Sequence, residues 1–229
     1  MIQTDPSAVV FSFFGPSVFS ASSTRQVTES RRSQFLQDVG LDPKQLVVVE
    51  QVHGDGLVWA SPNHRPAPKF EADGLLTASP GLVLAVKTAD CIPVFLYDPQ
   101  TRIGGIIHAG WRGLKGQILP KALRQLQKRG AKAETLQAAF GPCIRKCCYE
   151  VGEEFEGLFP AFYELGSSGK KGRMDLVACA RDQILGAGVR PQNVQDCGIC
   201  NACENRTFFS VRREPATPER ILSVFSICP

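Results

Sequence analysis

Strand-length apolar runs recur along this chain, and three of the places where they end or meet carry a histidine or a cysteine. Leu46 to Val52 leads into His53, Leu82 to Lys87 and Ile92 to Tyr97 flank Asp90-Cys91, and the run from Ile103 closes on His108. Runs this short and this apolar read as buried strands. Each of the two histidines is followed by Gly or Ala-Gly, so little bulk crowds its ring. If the three strand ends meet, two imidazoles and one thiolate could hold one metal and leave the fourth position open. That is the pattern of a catalytic zinc site, because structural zinc takes four protein ligands. The same donor set overlaps with trigonal copper chemistry. Taken singly, each residue has a plainer reading: a hydrogen-bonded histidine at a strand end, or an inert core thiol. On the residues alone the two readings stand level. Asp90, beside Cys91, could orient a ligand imidazole or move protons; as a bare turn residue between two strands it is equally well explained.

The rest of the chain frames that centre. At 229 residues one sizeable core is affordable, and the even spread of apolar runs and turn signals favours a single domain over 1–229. Strands first cluster and then mix with helices, which predicts a layered α/β architecture with flanking helices. The pattern predicts strands over 9–14, 46–52, 57–60, 82–87, 92–97, 103–108, 136–140, 194–197, 208–212 and 221–225. It predicts helices over 29–39, 114–129 (kinked at Pro120), 151–162 and 175–185, and a Ser/Thr-rich loop over 15–30. Net charge is +4 and no basic run exceeds two residues, which argues against nucleic-acid binding. The apolar stretch Ala8 to Phe14 is too short for a signal peptide or a membrane span, so a cytoplasmic, non-membrane protein is expected. Nine cysteines without a signal point to reduced thiols, some of them metal ligands, rather than to disulfides.

Three further motifs carry charge or sulfur. His108-Ala-Gly-Trp-Arg112-Gly is a glycine-bearing turn in which Arg112 could meet phosphate or carboxylate, although a solvated turn arginine is the simpler account. Cys197-Gly-Ile-Cys200-Asn-Ala-Cys203 offers two C-x2-C steps, with Cys143, Cys147 or Cys148 as a possible fourth thiol; a plain reduced cluster is the favoured reading. Phe208-Phe-Ser-Val-Arg212-Arg213, read as a strand, would turn its two arginines to opposite faces.

Together these motifs resemble a known family. Gln51-Val-His-Gly, Ala72-Asp-Gly-Leu-Leu-Thr77, Thr88-Ala-Asp-Cys-Ile-Pro93, His108-Ala-Gly-Trp-Arg-Gly113, Gly141-Pro-Cys-Ile, Cys147-Cys-Tyr-Glu-Val-Gly152 and Phe208-Phe-Ser-Val-Arg-Arg213 occur in the order of the YfiH-type family. It is also called the polyphenol oxidoreductase or laccase-domain family, and it includes purine nucleoside phosphorylases with adenosine deaminase activity. The likeness runs from about residue 46 to the C-terminus. It implies a single α/β domain and a metal at His53, Cys91 and His108. It also implies purine nucleosides and phosphate as substrates: phosphorolysis of adenosine, inosine and methylthioadenosine, and deamination of adenosine. On this reading Asp90 and Arg112 are catalytic, and Gln51, Asp73, Tyr149, Arg212 and Arg213 bind substrate. The chain departs from the family near its start. The usual Thr-Thr-Arg-x-Gly-Gly stretch and Ser-Leu-Asn-Leu run give way to Phe13-Phe-Gly-Pro-Ser17 and Ala21-Ser-Ser-Thr24, which predicts a more open cleft and looser substrate choice.

Composition bears on the metal. Three histidines cannot build a multi-copper oxidase centre, and with only two methionines, Met1 and Met174, a blue-copper site is poorly served. Zinc is therefore preferred over copper. A copper-dependent polyphenol oxidoreductase and a non-catalytic metal-binding regulatory protein are the rival readings.

Overall fold

The computed structural model describes residues 2–5, 8–25, 27–64, 70–167 and 171–229. Two mixed sheets lie at its centre. The first runs in the order β1 (Ile2–Asp5), β2 (Ala8–Phe11), β3 (Val18–Ser23), β15 (Ile221–Ile227), β7 (Val83–Thr88), β4 (Leu46–Val47). The second runs β14 (Val194–Asp196), β10 (Gln137–Phe140), β8 (Ile92–Asp98), β9 (Ile103–Ala109), β6 (Gly74–Thr77), β5 (Leu57–Ala60). A small third sheet joins β11 (Glu150–Gly152), β13 (Lys171–Met174) and β12 (Tyr163–Leu165). The helices are α1 (Arg32–Asp38), α2 (Trp111–Lys115), α3 (Ile118–Gln127), α4 (Glu154–Leu158) and α5 (Leu176–Gly186).

Strand periodicity sorts the apolar side chains into layers. Phe95 and Tyr97 of β8 and Ile106 of β9 meet Leu84 and Val86 of β7 and Ile221 and Phe225 of β15, which forms the core between the two large sheets. The intervening residues face outward. Val83, Ala85, Leu222 and Val224 pack against Phe35 and Leu36 of α1. Val94, Leu96, Ile107 and Ala109 pack against Leu119, Leu123 and Leu126 of α3 and Ala180 and Ile184 of α5. The architecture is thus helix, sheet, sheet, helix. With layers on both sides, every residue of β8, β9 and β15 is buried, which is why these runs read as unbroken apolar stretches.

The expected layered α/β fold with flanking helices is the one observed, and its departures from the expected elements have local causes. The expected loop over 15–30 contains β3, whose small Ser and Ala side chains (18–23 is Val-Phe-Ser-Ala-Ser-Ser) carry no β signal of their own but lie beside β15. The helix over 114–129 does not kink at Pro120. It breaks earlier, at Gln117, whose φ of 62° separates α2 from α3, and Pro120 sits harmlessly in the first turn of α3. The expected helix over 151–162 is instead β11 followed by the short α4. The expected strand over 46–52 shortens to β4, after which the chain bends toward His53. The expected strand over 208–212 is a turn: Arg213 N–H and Glu214 N–H both donate to the Ser210 carbonyl. The strand β6 had no separate reading, because its run Gly-Leu-Leu-Thr is only four residues long.

Phe95 tests the central layer. It is fully buried, with its ring 5.9 Å from Phe11 and 6.3 Å from Phe13. Phe95→Ala should lower the unfolding free energy by about 3–5 kcal/mol in urea titration. A loss below about 1 kcal/mol would show that the sheets do not pack through this residue.

Candidate metal centre

Register brings the three candidate donors together. β8 and β9 pair antiparallel with Ile92 opposite Ala109, so Cys91, one residue before β8, lies beside Gly110, one residue after β9. β6 and β9 pair with Gly74 opposite Ile107, which sets Asp73 against His108; the His108 N–H donates to the Asp73 carbonyl at 2.7 Å. His53 arrives from the other side, in the loop that follows β4. It adopts a left-handed backbone (φ 57°), an uncommon conformation for a residue with a side chain. The donor atoms of His53, Cys91 and His108 lie within 4.8 Å of one another, and the two imidazoles meet nearly at right angles, 4.8 Å between centroids. Gly110 keeps the approach clear: a Cβ there would stand 2.9 Å from the Cys91 sulfur.

One carboxylate organises both histidines. Asp73 is fully buried and accepts a hydrogen bond from His108 Nδ1 at 2.7 Å. That bond leaves Nε2 to face Cys91 and His53. The same carboxylate accepts the backbone N–H groups of His53 (3.0 Å), Gly54 (2.6 Å) and Val52 (3.3 Å), which fixes the His53 loop. A metal-ligating histidine whose other nitrogen is held by a carboxylate is the usual arrangement in such sites. Two imidazoles, one sulfur and this support fit a single ion with an open position.

The charges agree with the geometry. Burial alone would push the Cys91 thiol up, but hydrogen bonding to His108 and His53 outweighs it and brings the pKa down to about 6. Burial alone would lower His108; hydrogen bonding to Asp73 and then to Cys91 raises it to about 9. Both shifts favour the thiolate of Cys91 beside the imidazolium of His108. The thiolate is already the form that binds metal.

Of the two tasks expected of Asp90, orienting a ligand imidazole is not the one its position allows. It does not touch a ligand imidazole; Asp73 fills that role. Its carboxylate accepts from Ser210 Oγ (2.7 Å), Asn201 Nδ2 (3.0 Å) and the Arg212 N–H (2.8 Å), on a backbone with φ 94°. It lines a cavity of about 250 Å³ together with His53, Cys91, His108, Lys87, Ala89, Val211 and Arg220. A larger groove of about 640 Å³, lined by residues such as Pro120, Phe159 and Gln183, lies apart from these groups.

The remaining expected substrate residues divide. Tyr149 is near the centre: burial first, and the Cys91 charge second, push its phenol up to about 12. Arg212 stacks over the Tyr149 ring at 5.4 Å and donates to the Glu150 carbonyl. Arg112 is exposed on α2 and stacks over Trp111 at 4.5 Å. Three of the expected substrate residues are engaged elsewhere. Asp73 is buried behind His108 and presents no surface to a substrate. Gln51 spends its amide on the Lys87 backbone, donating to its carbonyl (2.8 Å) and accepting its N–H (2.7 Å), so that it extends the sheet. Arg213 turns away to the Ala202 carbonyl (2.9 Å) and the Cys148 sulfur (3.6 Å). Lys87 and Arg220 line the cavity without any motif to announce them. Arg25, in the altered N-terminal region, pairs with Glu214 at 2.7 Å and stacks over Phe209, bracing the loop that holds Asp90. The third histidine, His64, is bonded to Ser61 in a short turn away from the centre.

Among the described residues no helix is long and apolar enough to cross a membrane. The profile of a family described as multi-copper polyphenol oxidoreductase laccase matches residues 8–227. Relatives include adenosine deaminase RL5 from an unknown prokaryotic organism, 33% identical over 202 residues, with 82% of this chain and 77% of that one covered. Another is a purine nucleoside phosphorylase of Deinococcus radiodurans, 34% identical over 209 residues, covering 89% of this chain and 78% of that one. The fold is that of YlmD from Geobacillus stearothermophilus, with a TM-score of 0.92 at 23% identity over 100% of this chain and 99% of that one. The likeness is thus broader than the motifs from residue 46 onward suggested, and takes in the N-terminal strands. With everything from β2 to β15 inside the match, the chain belongs to the multi-copper polyphenol oxidoreductase laccase family.

Proposed function

We propose that this chain is a metal-dependent purine nucleoside phosphorylase acting on adenosine, inosine and S-methyl-5′-thioadenosine, that it also deaminates adenosine, and that it works in the cytoplasm with zinc held by His53, Cys91 and His108. The observation that carries the reading is the three-donor centre, with its carboxylate support, opening onto a cavity whose wall holds one carboxylate and two cations. Relatives named for these reactions supply the substrate class. All nine cysteines are free, which suits a reducing compartment.

Zinc bound there would supply a Lewis acid able to yield hydroxide from water near neutral pH. The chain's own residues do the remaining work. Asp73 holds the His108 tautomer and the His53 loop, so that both rings stay aimed at the cavity. Asp90, held by three donors, offers a fixed carboxylate to accept or return a proton as water replaces the 6-amino group and ammonia leaves. For phosphorolysis, a phosphate oxygen attacks C1′ and the purine leaves with a proton. Arg112, Arg212, Lys87 and Arg220 supply the positive charge that such an anion needs. The ring of Tyr149, with Arg212 over it, offers a face for a base or ribose. A multi-copper centre lacks ligands, because the chain has only three histidines.

Cys91→Ala should lose one metal equivalent relative to wild type by elemental analysis, and lose adenosine turnover with and without phosphate. Full retention of metal in a folded Cys91→Ala protein would overturn the ligand assignment. Metal-stripped wild type should regain more activity with zinc than with copper; the reverse result would favour the oxidoreductase reading. Asp73→Asn keeps the shape but removes the charge and sets an amide against three backbone donors, so metal affinity should fall about 10–100-fold in competition with a chelator. An unchanged affinity would mean that Asp73 serves folding alone. Arg112→Ala should raise the phosphate KM roughly tenfold, the loss of one charge-assisted contact, while leaving thermal stability nearly unchanged. An unaltered KM would leave Arg112 a solvated residue.

A further inference from the structure

A second group of sulfur atoms lies apart from the first centre. Cys147 and Cys148 sit in the turn after β10, and Cys200 and Cys203 in a turn of the loop after β14. A parallel bridge between Cys143 and Cys200 places the two turns side by side. The four sulfurs all lie within 4.8 Å of one another. Cys147 is 3.7 Å from Cys200, 3.7 Å from Cys203 and 3.9 Å from Cys148, and Cys148 is 3.4 Å from Cys203.

Those spacings suit four ligands around one ion. Four thiolates on one zinc at about 2.3 Å form a tetrahedron whose edges are about 3.8 Å. A disulfide would need about 2.05 Å, well inside any separation here. The enclosed space admits a single atom and is too small for a cluster of several irons. Tetrahedral sulfur ligation selects zinc or iron, and only zinc is free of redox chemistry. Four-thiolate zinc has no open position, so the site is structural. Cys197, which the C-x2-C spacing also offered, stands outside the group beside Arg145.

We propose that Cys147, Cys148, Cys200 and Cys203 bind one structural zinc ion that ties two loops of the catalytic wall together. The proposal is independent of which metal fills the first centre. Its placement gives it a purpose. Tyr149 follows Cys148 directly, and Asn201 lies between Cys200 and Cys203. Asn201 donates to Asp90, and the Cys203 segment leads on to Ser210 and Arg212, which hold the same carboxylate. The ion therefore fixes the support of Asp90 and the ring of Tyr149 at once. Arg213 also finds its role: its guanidinium, 3.6 Å from the Cys148 sulfur, offsets part of the charge of four thiolates on a divalent ion.

The test begins with Cys91→Ala protein purified in reductant without chelator, so that the first centre no longer contributes metal. About one equivalent of zinc per chain is expected, falling to near zero when Cys203→Ser is added. Cobalt exchanged into the Cys91→Ala protein should show charge-transfer absorption with the strength of four thiolates and the visible bands of a tetrahedral ion, a reading that leaves the cluster itself unaltered. Should Cys203→Ser fail to fold, the cobalt spectrum decides alone. The proposal is overturned by Cys91→Ala protein without metal, by zinc that survives Cys203→Ser, by iron in place of zinc, or by mass spectra showing Cys147–Cys200 or Cys148–Cys203 disulfides in the reduced preparation.

Discussion

The buried carboxylate of Asp73 is the hinge on which the centre depends. A charge with no exposure to water is tolerable only when nearly all its acceptor capacity is used. Here His108 Nδ1 and three consecutive backbone N–H groups use it. The arrangement also couples two segments far apart in sequence. The His53 loop cannot shift without stranding the carboxylate, and the carboxylate cannot move without freeing the His108 ring. The same group draws positive charge onto His108, which in turn favours the thiolate of Cys91. One interaction thus sets both the geometry and the protonation of the three donors.

That interaction is available because of strand register. Asp73 precedes β6, His108 is the last residue but one of β9 and Cys91 precedes β8, and the pairing of these three strands places the residues in neighbouring positions. A one-residue slip would turn each side chain to the opposite face. The slip is prevented by two different apolar layers: Phe95, Tyr97 and Ile106 fit only between the sheets, and Val94, Leu96 and Ile107 only against the helices. Packing far from the centre therefore determines where the donors stand. The positive φ values of His53 and Asp90 suit the same view, since non-glycine residues hold such conformations where their surroundings over-determine them.

Much of this was legible in the residues. The apolar runs that became β7, β8, β9 and β15 are long enough to signal strands, and the ends of two of them, with the loop after β4, carry the donor triad. What was not legible follows a pattern. β3 is built from serines and alanine and exists because β15 lies beside it, a tertiary cause that leaves no local trace. Gln51 and Asp73 stand inside motifs, and a motif says that a residue matters without saying whether it meets a substrate or the backbone. Only coordinates show that Gln51 completes a sheet edge and Asp73 sits behind a ligand. Arg212 and Arg213 were expected to diverge as neighbours on a strand; they do diverge, but from a turn. The partition of the cysteines was legible only in part: Cys147 and Cys148 were candidates for a fourth thiol, but spacing favoured Cys197, which the fold leaves outside the group.

β15 has a consequence for how the protein is made. It lies in the interior of the first sheet, between β3 and β7, yet it spans residues 221–227. A ribosome that has released the first hundred residues has therefore exposed β1, β2, β3 and β7 with a strand-wide gap among them. Ser22 and Ser223, partners where β15 meets β3, are separated by nearly the whole chain. Contacts so distant in sequence slow folding and prolong the exposure of unpaired edges. The first sheet closes only after synthesis has passed residue 227, so β15 is inserted last, between strands that were made long before it.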